Sequence, residues 1–302
     1  MMIEVHSSDL SARCPASAGY RRAGLINVAV PMAMFRGLSA GRAIEIMLEE
    51  STTVDGVPDA CTRAVRESDV KVQEEGRFHN LDLKKVCSEL IETLAFFPER
   101  AETAYRDYDL IGQEIPIRWI VGFLEREDET HTVEFASHLD ALYRHKETGQ
   151  LKIVDWKWTK DSPNWHYSQM NLQMRSYMAA MQRGEFMMNG FYVDMVDYFG
   201  ERLSVEAELF WIPGLMPYKR RTTVTVDGVE QVFHKGDHRP ITKILHYAQN
   251  SRVDQIEKQI MLRAEWIRTG YYPEIPTPDG CMACPAQQEV GYCTVAQDLG
   301  GE

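Results

Sequence analysis

The sequence predicts a mixed α/β fold, one sheet-based core with a helical insertion near the N-terminus. Three observations predict it. Apolar residues recur at helical spacing over residues 32–50 and 81–108. From Glu114 the chain turns to Ile, Trp, Val and Phe in strand-length runs separated by turn residues. A further helix then follows the third of those strands, and more strands follow the helix.

Taken in order, Ser7-Ser8-Asp9 is N-cap material and predicts a short helix within residues 7–25 that carries Cys14. Met32 to Glu50 reads as a helix through Ala43, Ile44, Met47 and Leu48. Residues 51–77 are polar and weakly periodic and read as loop with a short helix, and Leu81 to Tyr108 reads as a long amphipathic helix with a break near Pro98. Strands are expected over Glu114–Leu124, Thr132–His145 and Leu151–Thr159, the last two joined by a hairpin turn with Gly149 where positive φ is needed. Asp161-Ser162-Pro163 starts a helix running to Arg183. Strands near 190–198 and 203–211, a basic Thr-rich hairpin turning at Asp227-Gly228, and a helix from Thr242 to Gly270 complete the pattern. The last thirty or so residues are rich in Pro and Cys. No internal repeat or low-complexity tract appears. The chain is read as a single domain over 1–302: an N-terminal segment 1–30, a helical region 31–110, a core 111–240 and a C-terminal helix and tail 241–302.

Composition narrows the function classes. With 44% hydrophobic and 26% charged residues, 302 residues suffice for a large core. No run of eighteen apolar residues suggests a membrane span, and the first residues lack a signal-peptide layout, so a reducing cytoplasm is expected. There, six cysteines favour metal binding or free thiols over disulfides. A net charge of −12 argues against a general nucleic-acid coat. Binding to DNA would be confined to a groove served by local basic groups: Arg21-Arg22, Lys84-Lys85, Lys152 with Lys157 and Lys160, or Lys219-Arg220-Arg221.

Two groups of residues carry chemistry. On the third strand, alternation points Asp155, Lys157 and Thr159 one way and Trp156 and Trp158 the other. Asp140 lies on the preceding strand, close enough across the hairpin to join Asp155. Two carboxylates of hard oxygen suit Mg²⁺ or Mn²⁺, and an ammonium beside them can orient a water or offset developing charge. Gln173 and Tyr177, one helical turn apart, share a face of the next helix, suited either to contacting a phosphate or to positioning Lys157. His138 shares the strand face of Asp140. The second group is Cys281-x-x-Cys284, a chelating spacing, with Cys293 on the same tail and Cys14 as the natural fourth thiolate. Zinc and an iron–sulfur cluster both accept four thiolates. Cys61 and Cys87 lack chelating partners and are expected to be free thiols, Cys87 on a buried helix face.

Asp140, Asp155-x-Lys157 and Gln173-x-x-x-Tyr177 resemble the PD-(D/E)XK nuclease superfamily, and more narrowly its RecB-like branch. The usual Gly-x-x-Asp is here Ser137-His138-Leu139-Asp140, and an upstream Gly-x-x-x-His motif has its counterpart in Gly41-Arg42-Ala43-Ile44-Glu45, with Glu45 in the histidine place. Cys14-Pro15 followed by Tyr20, with the C-terminal cysteines, resembles iron–sulfur exonucleases such as the CRISPR-associated exonuclease family four and its phage-encoded relatives. The gap from Cys284 to Cys293 is longer than that family's usual one.

The resemblance implies a restriction-endonuclease-like mixed sheet flanked by helices. It also implies a metal site of Glu45, Asp140, Asp155 and the Trp156 carbonyl, with Lys157, Gln173 and Tyr177 as catalytic or strand-positioning residues. Cys14, Cys281, Cys284 and Cys293 would hold a structural [4Fe–4S] cluster. The implied activity is a Mg²⁺- or Mn²⁺-dependent DNA exonuclease on single strands or DNA ends, often 5′→3′ in this family, with Trp158, Trp165 and Tyr167 as base-stacking candidates. Its partners would be DNA and the proteins of recombination, replication or CRISPR adaptation. Alternatives are a DNA-end-binding recombination or spacer-acquisition partner with little catalysis, and a zinc-stapled structural subunit.

Overall fold

The computed structural model describes residues 1–11, 32–75, 80–126, 129–159, 172–200, 205–213, 220–226, 229–235, 237, 242–246 and 253–271. A mixed sheet is sandwiched between two helical layers. Its strands are β1 (Met2–His6), β2 (Tyr108–Arg126), β3 (Glu129–His145), β4 (Leu151–Thr159), β5 (Glu185–Met188), β6 (Phe191–Asp194), β7 (Val205–Pro213) and β10 (Thr242–His246). They lie in the order β10-β7-β4-β3-β2-β5-β6, with β1 added in parallel to β3. A separate ribbon pairs β8 (Thr222–Val226) with β9 (Val229–Phe233). The expected mixed sheet flanked by helices is therefore present.

One face of the sheet is covered by α1 (Ser7–Ser11), α6 (Leu172–Arg183) and α8 (Val253–Thr269), which bury Met174, Tyr177, Met178, Ile256 and Ile260 against Ile117, Phe135 and Ile153. The other face takes α2 (Met32–Glu49), α3 (Val57–Glu74), α4 (Leu83–Leu94) and α5 (Phe97–Tyr105). Its core joins Ile44, Val65, Leu90 and Phe97 to Val154, Trp156 and Phe210. A short helix α7 (Met195–Phe199) follows β6.

Several elements differ from expectation. Residues 57–74 form an 18-residue helix where loop with only a short helix was expected. Its buried stripe is Val57, Ala60, Cys61, Ala64, Val65, Ser68 and Val72, small residues whose weak hydrophobicity hides a helical period. The chain from 81 to 108 is two helices, α4 capped by the Asp82 carboxylate on the amides of Lys84 and Lys85, and α5 with its proline in the first turn. Residues 2–6 form a strand ahead of α1, which was not foreseen, and the stretch that carries Cys14 lies outside the described residues. Thr242–His246 is a strand rather than the start of the last helix, which begins at Val253. Glu185–Asp194 makes a hairpin through Asn189-Gly190, both at positive φ (52° and 83°), where a single strand was expected at 190–198.

Candidate active site

The arrangement begins with a shared strand. Strand β2 occupies one edge of β3 along its whole length, Tyr108 to Arg126 against Glu129 to His145. Two strands divide the other edge: β1 takes Thr132–Ala136 in parallel, and β4 takes Ala141–Arg144 antiparallel. Between them, no strand among the described residues pairs with 137–140 on that edge. At this fork β1 gives way to α1 at Ser7, and β4 leaves β3 after Val154 while continuing beside β7 to Thr159. Backbone groups at such a fork lose ladder partners and must find side chains. Here the amide of Trp156 donates to Asp140 Oδ2 at 2.8 Å, so the carboxylate replaces the missing rung.

Asp140 and Asp155 stand one register step beyond the last rung, Ala141 with Val154, and meet across the fork. Asp155 is fully buried. Lys157 Nζ donates to its Oδ1 at 2.8 Å and lies 2.6 Å from Oδ2, yet Oδ2 accepts no hydrogen bond of sound geometry. Burial pushes the Asp140 carboxyl up to about 8, and the charge of Asp155 adds to this, against the pull of Lys157 and the Trp156 amide. Burial works to lower the Lys157 pKa, but the two carboxylates outweigh it and leave the ammonium above its ordinary value. Lys157 therefore stays charged at neutral pH. Trp156 points the opposite way, packed edge-on to Phe97 and Phe210 with ring centroids 5.6 and 5.2 Å away. Trp158 packs against the same core.

A third carboxylate extends the row. Rungs Gln113–Ala141 and Ile115–Leu139 bracket Glu114 and Asp140, so Glu114 stands opposite Asp140 on β2. Its φ of 45° is left-handed, an uncommon state for a glutamate. Burial pushes its carboxyl up to about 7, followed by the charge of Glu45, to which it is hydrogen-bonded. Glu45 on α2 is also held by Arg42 Nη1 at 2.8 Å. The structure thus gathers Asp140, Asp155 and Lys157 into one cluster and links Glu45 to it through Glu114. Among the described residues, no three His, Cys, Asp or Glu side chains converge closely enough to hold a metal by themselves.

The hydroxyl of Tyr177 completes the cluster from α6. Tyr177 is 2% exposed, and Gln173 Nε2 donates to its Oη at 2.8 Å. Ser137 and Ser7 lie within 3.4 Å of the same oxygen. Burial raises the phenol's pKa, and the charges of Asp155 and Asp140 raise it further, so it stays protonated. His138 lies at the surface, and partial desolvation of its ring, with nearby His6 and Lys71, lowers its imidazole pKa. Cys14, Cys281, Cys284, Cys293, Trp165 and Tyr167 lie outside the described residues. Cys61 and Cys87 are free thiols, Cys61 buried and pushed up to about 12 by that burial, Cys87 half-buried.

Glu114, Ser7 and Ser137 were not singled out from sequence. Glu114 had one legible signal, since it and Asp140 stand nearly equidistant from the β2–β3 turn. Ser7 had none, because the fork that brings β1 beside β3 spans more than 120 residues of chain.

The donor set suits a hard divalent cation. Two carboxylates face each other, one buried beside the Lys157 ammonium and the other held protonated by burial and by its neighbour's charge. The solved crystal structure of SSO0001 is similar over 98% of this chain and 88% of its own, at 12% identity and a TM-score of 0.35. No curated protein matches the chain. Residues 7–288 match the PD-(D/E)XK nuclease family, a span holding every carboxylate of the cluster. With a sheet of the expected kind and this site at its fork, the chain belongs to the PD-(D/E)XK nuclease superfamily.

Proposed function

We propose that the protein is a metal-dependent DNA exonuclease of the RecB-like branch, acting on single strands or DNA ends, 5′→3′, through one nuclease domain. The observation that carries it is the fork: Asp140 and Asp155 face each other there, buried beside the Lys157 ammonium. Asp140 and Asp155, with the Trp156 carbonyl by family likeness, would hold Mg²⁺ or Mn²⁺, and Glu45 would act beside them through Glu114. Bound there, such an ion supplies an acidified water and offsets charge on the phosphoryl oxygens. Lys157, kept charged by its carboxylate neighbours, orients the attacking water and neutralises charge as it develops. Asp140 ionises when positive charge reaches the cluster, because its raised pKa reflects burial and the neighbouring carboxylate. Tyr177 is too buried to reach a DNA strand, so Gln173 and Tyr177 act on the position of Lys157.

Cys14, Cys281, Cys284 and Cys293 would hold a structural [4Fe–4S] cluster. The support is a donor set of four thiols, two of them at chelating spacing, in a sequence of this family. Recombination, replication or CRISPR-adaptation proteins are the partners the reading implies.

The test is digestion of end-labelled single-stranded DNA with Mg²⁺ or Mn²⁺, beside Asp155→Ala and Lys157→Ala. Expected is stepwise loss of nucleotides from the 5′ end by wild type, with both variants at least a hundredfold slower and DNA binding kept. Binding without cleavage by the wild type would instead make the protein an end-binding partner.

A further inference from the structure

The cluster has a part that the nuclease reading does not use. Ser7 sits where β1 ends and α1 begins, a junction fixed by Asp9 Oδ2, which accepts the His6 amide at 2.9 Å. Ser7 is 9% exposed, and its hydroxyl faces the catalytic cluster rather than solvent. Ser137 Oγ donates to Ser7 Oγ at 2.8 Å, and Tyr177 Oη donates to it at 3.4 Å. Ser137 stands on the open edge of β3, three residues before Asp140.

The direction of these hydrogen bonds decides what Ser7 does. A phenol has one proton to give and also accepts. Tyr177 Oη already accepts the Gln173 amide at 2.8 Å. Ser137 has a single proton, and its shorter contact is with Ser7. The proton of Tyr177 is then directed to Ser7, which accepts from two hydroxyls at once. On the nuclease reading Gln173 and Tyr177 act on Lys157, so the setting of this phenol bears on turnover. Two buried hydroxyls contributed by β1–α1 and β3 thus set the rotor of a third on α6.

We propose that Ser7 is a positioning residue for phosphodiester hydrolysis, fixing the Tyr177 hydroxyl. The assignment rests on the nuclease reading. Ser7 touches neither substrate nor cation, and its effect falls on turnover rather than on DNA binding.

The experiment compares wild type, Ser7→Ala and Ser7→Thr by three measurements: kcat and KM on labelled single-stranded DNA with Mn²⁺, the urea midpoint, and the Tyr177 ¹³Cζ resonance in ¹³C-tyrosine protein without metal, assigned with Tyr177→Phe. Ser7→Ala is expected to lower kcat about tenfold with KM unchanged, to move the Tyr177 resonance and, because two buried hydroxyls lose their acceptor, to lower the urea midpoint while the protein stays folded under assay conditions. Ser7→Thr, which keeps the hydroxyl, is expected to restore rate and resonance. An unmoved resonance, a rate loss that Thr does not restore, or a rate loss fully accounted for by the fraction of unfolded variant under assay conditions overturns the assignment while leaving an active nuclease. A wild type that cleaves no DNA overturns the nuclease reading and the Ser7 role in hydrolysis with it.

Discussion

Asp140 carries two opposed demands. On the proposed reading its carboxylate serves a cation, yet without one it is held protonated up to about 8 by burial and by Asp155. The ordinary aspartate value is 3.8, so the folded protein binds a proton that the unfolded chain releases between the two. Each step up in pH through that window costs folded-state stability, and the cost stops growing above the folded value. Asp140→Asn removes this penalty. In the absence of divalent cation, the variant is expected to exceed wild type in urea-melt stability by a margin that widens from about pH 6 to pH 8, and Mn²⁺ should narrow the margin by stabilising wild type alone. A constant margin across pH would contradict the burial argument. Glu114, raised for the same first reason, is strained as well as desolvated. Glu114→Gln is expected to slow cleavage about tenfold while keeping its contact with Glu45, measured on the same labelled DNA. The proposed catalytic residues Asp140, Asp155 and Lys157 were legible because they are local to one hairpin. Glu114 and Ser7 were not, since their roles come from register and from a strand 130 residues away.

At the scale of elements, the close approach of α6 to β2 depends on Gly184. A Cβ there would fall 2.3 Å from the carbonyl oxygen of Arg118 and 2.8 Å from that of Ala180. Backbone oxygens cannot move aside as a side-chain tip can. Gly184→Ala is expected to destabilise the protein by about 1–3 kcal/mol in urea denaturation and to slow cleavage by shifting the helix that carries Gln173 and Tyr177. The strands most clearly read from sequence were those with branched or aromatic runs and a glycine turn: Leu151–Thr159 has the expected bounds, and Gly149 sits at φ 70° as the turn requires. The elements missed were those whose signals conflict with their setting. Helix 57–74 buries mostly alanine and valine, and Thr242–His246 continues without a breaker toward a helix-forming stretch. Tertiary pairing, β10 onto β7, decides the latter.

For the whole molecule, two cores on opposite faces brace the sheet, and the fork opens between them. No helix among the described residues is long and apolar enough to cross a membrane. The four cysteines expected to bind a cluster belong to the two ends of the sequence, and joining them closes a loop of most of the chain. Anaerobically purified protein is expected to be brown with broad visible absorbance. Cys284→Ser should lose the colour and fall in thermal stability, whereas a colourless protein holding one zinc would replace the iron–sulfur assignment. The fork itself faces the most direct examination in crystals soaked with Mn²⁺ and measured for anomalous scattering. A peak about 2.1 Å from carboxylate oxygens of both Asp140 and Asp155, absent in Asp155→Ala, is the predicted result. Manganese bound elsewhere, or touching only one of the two aspartates, would contradict the account.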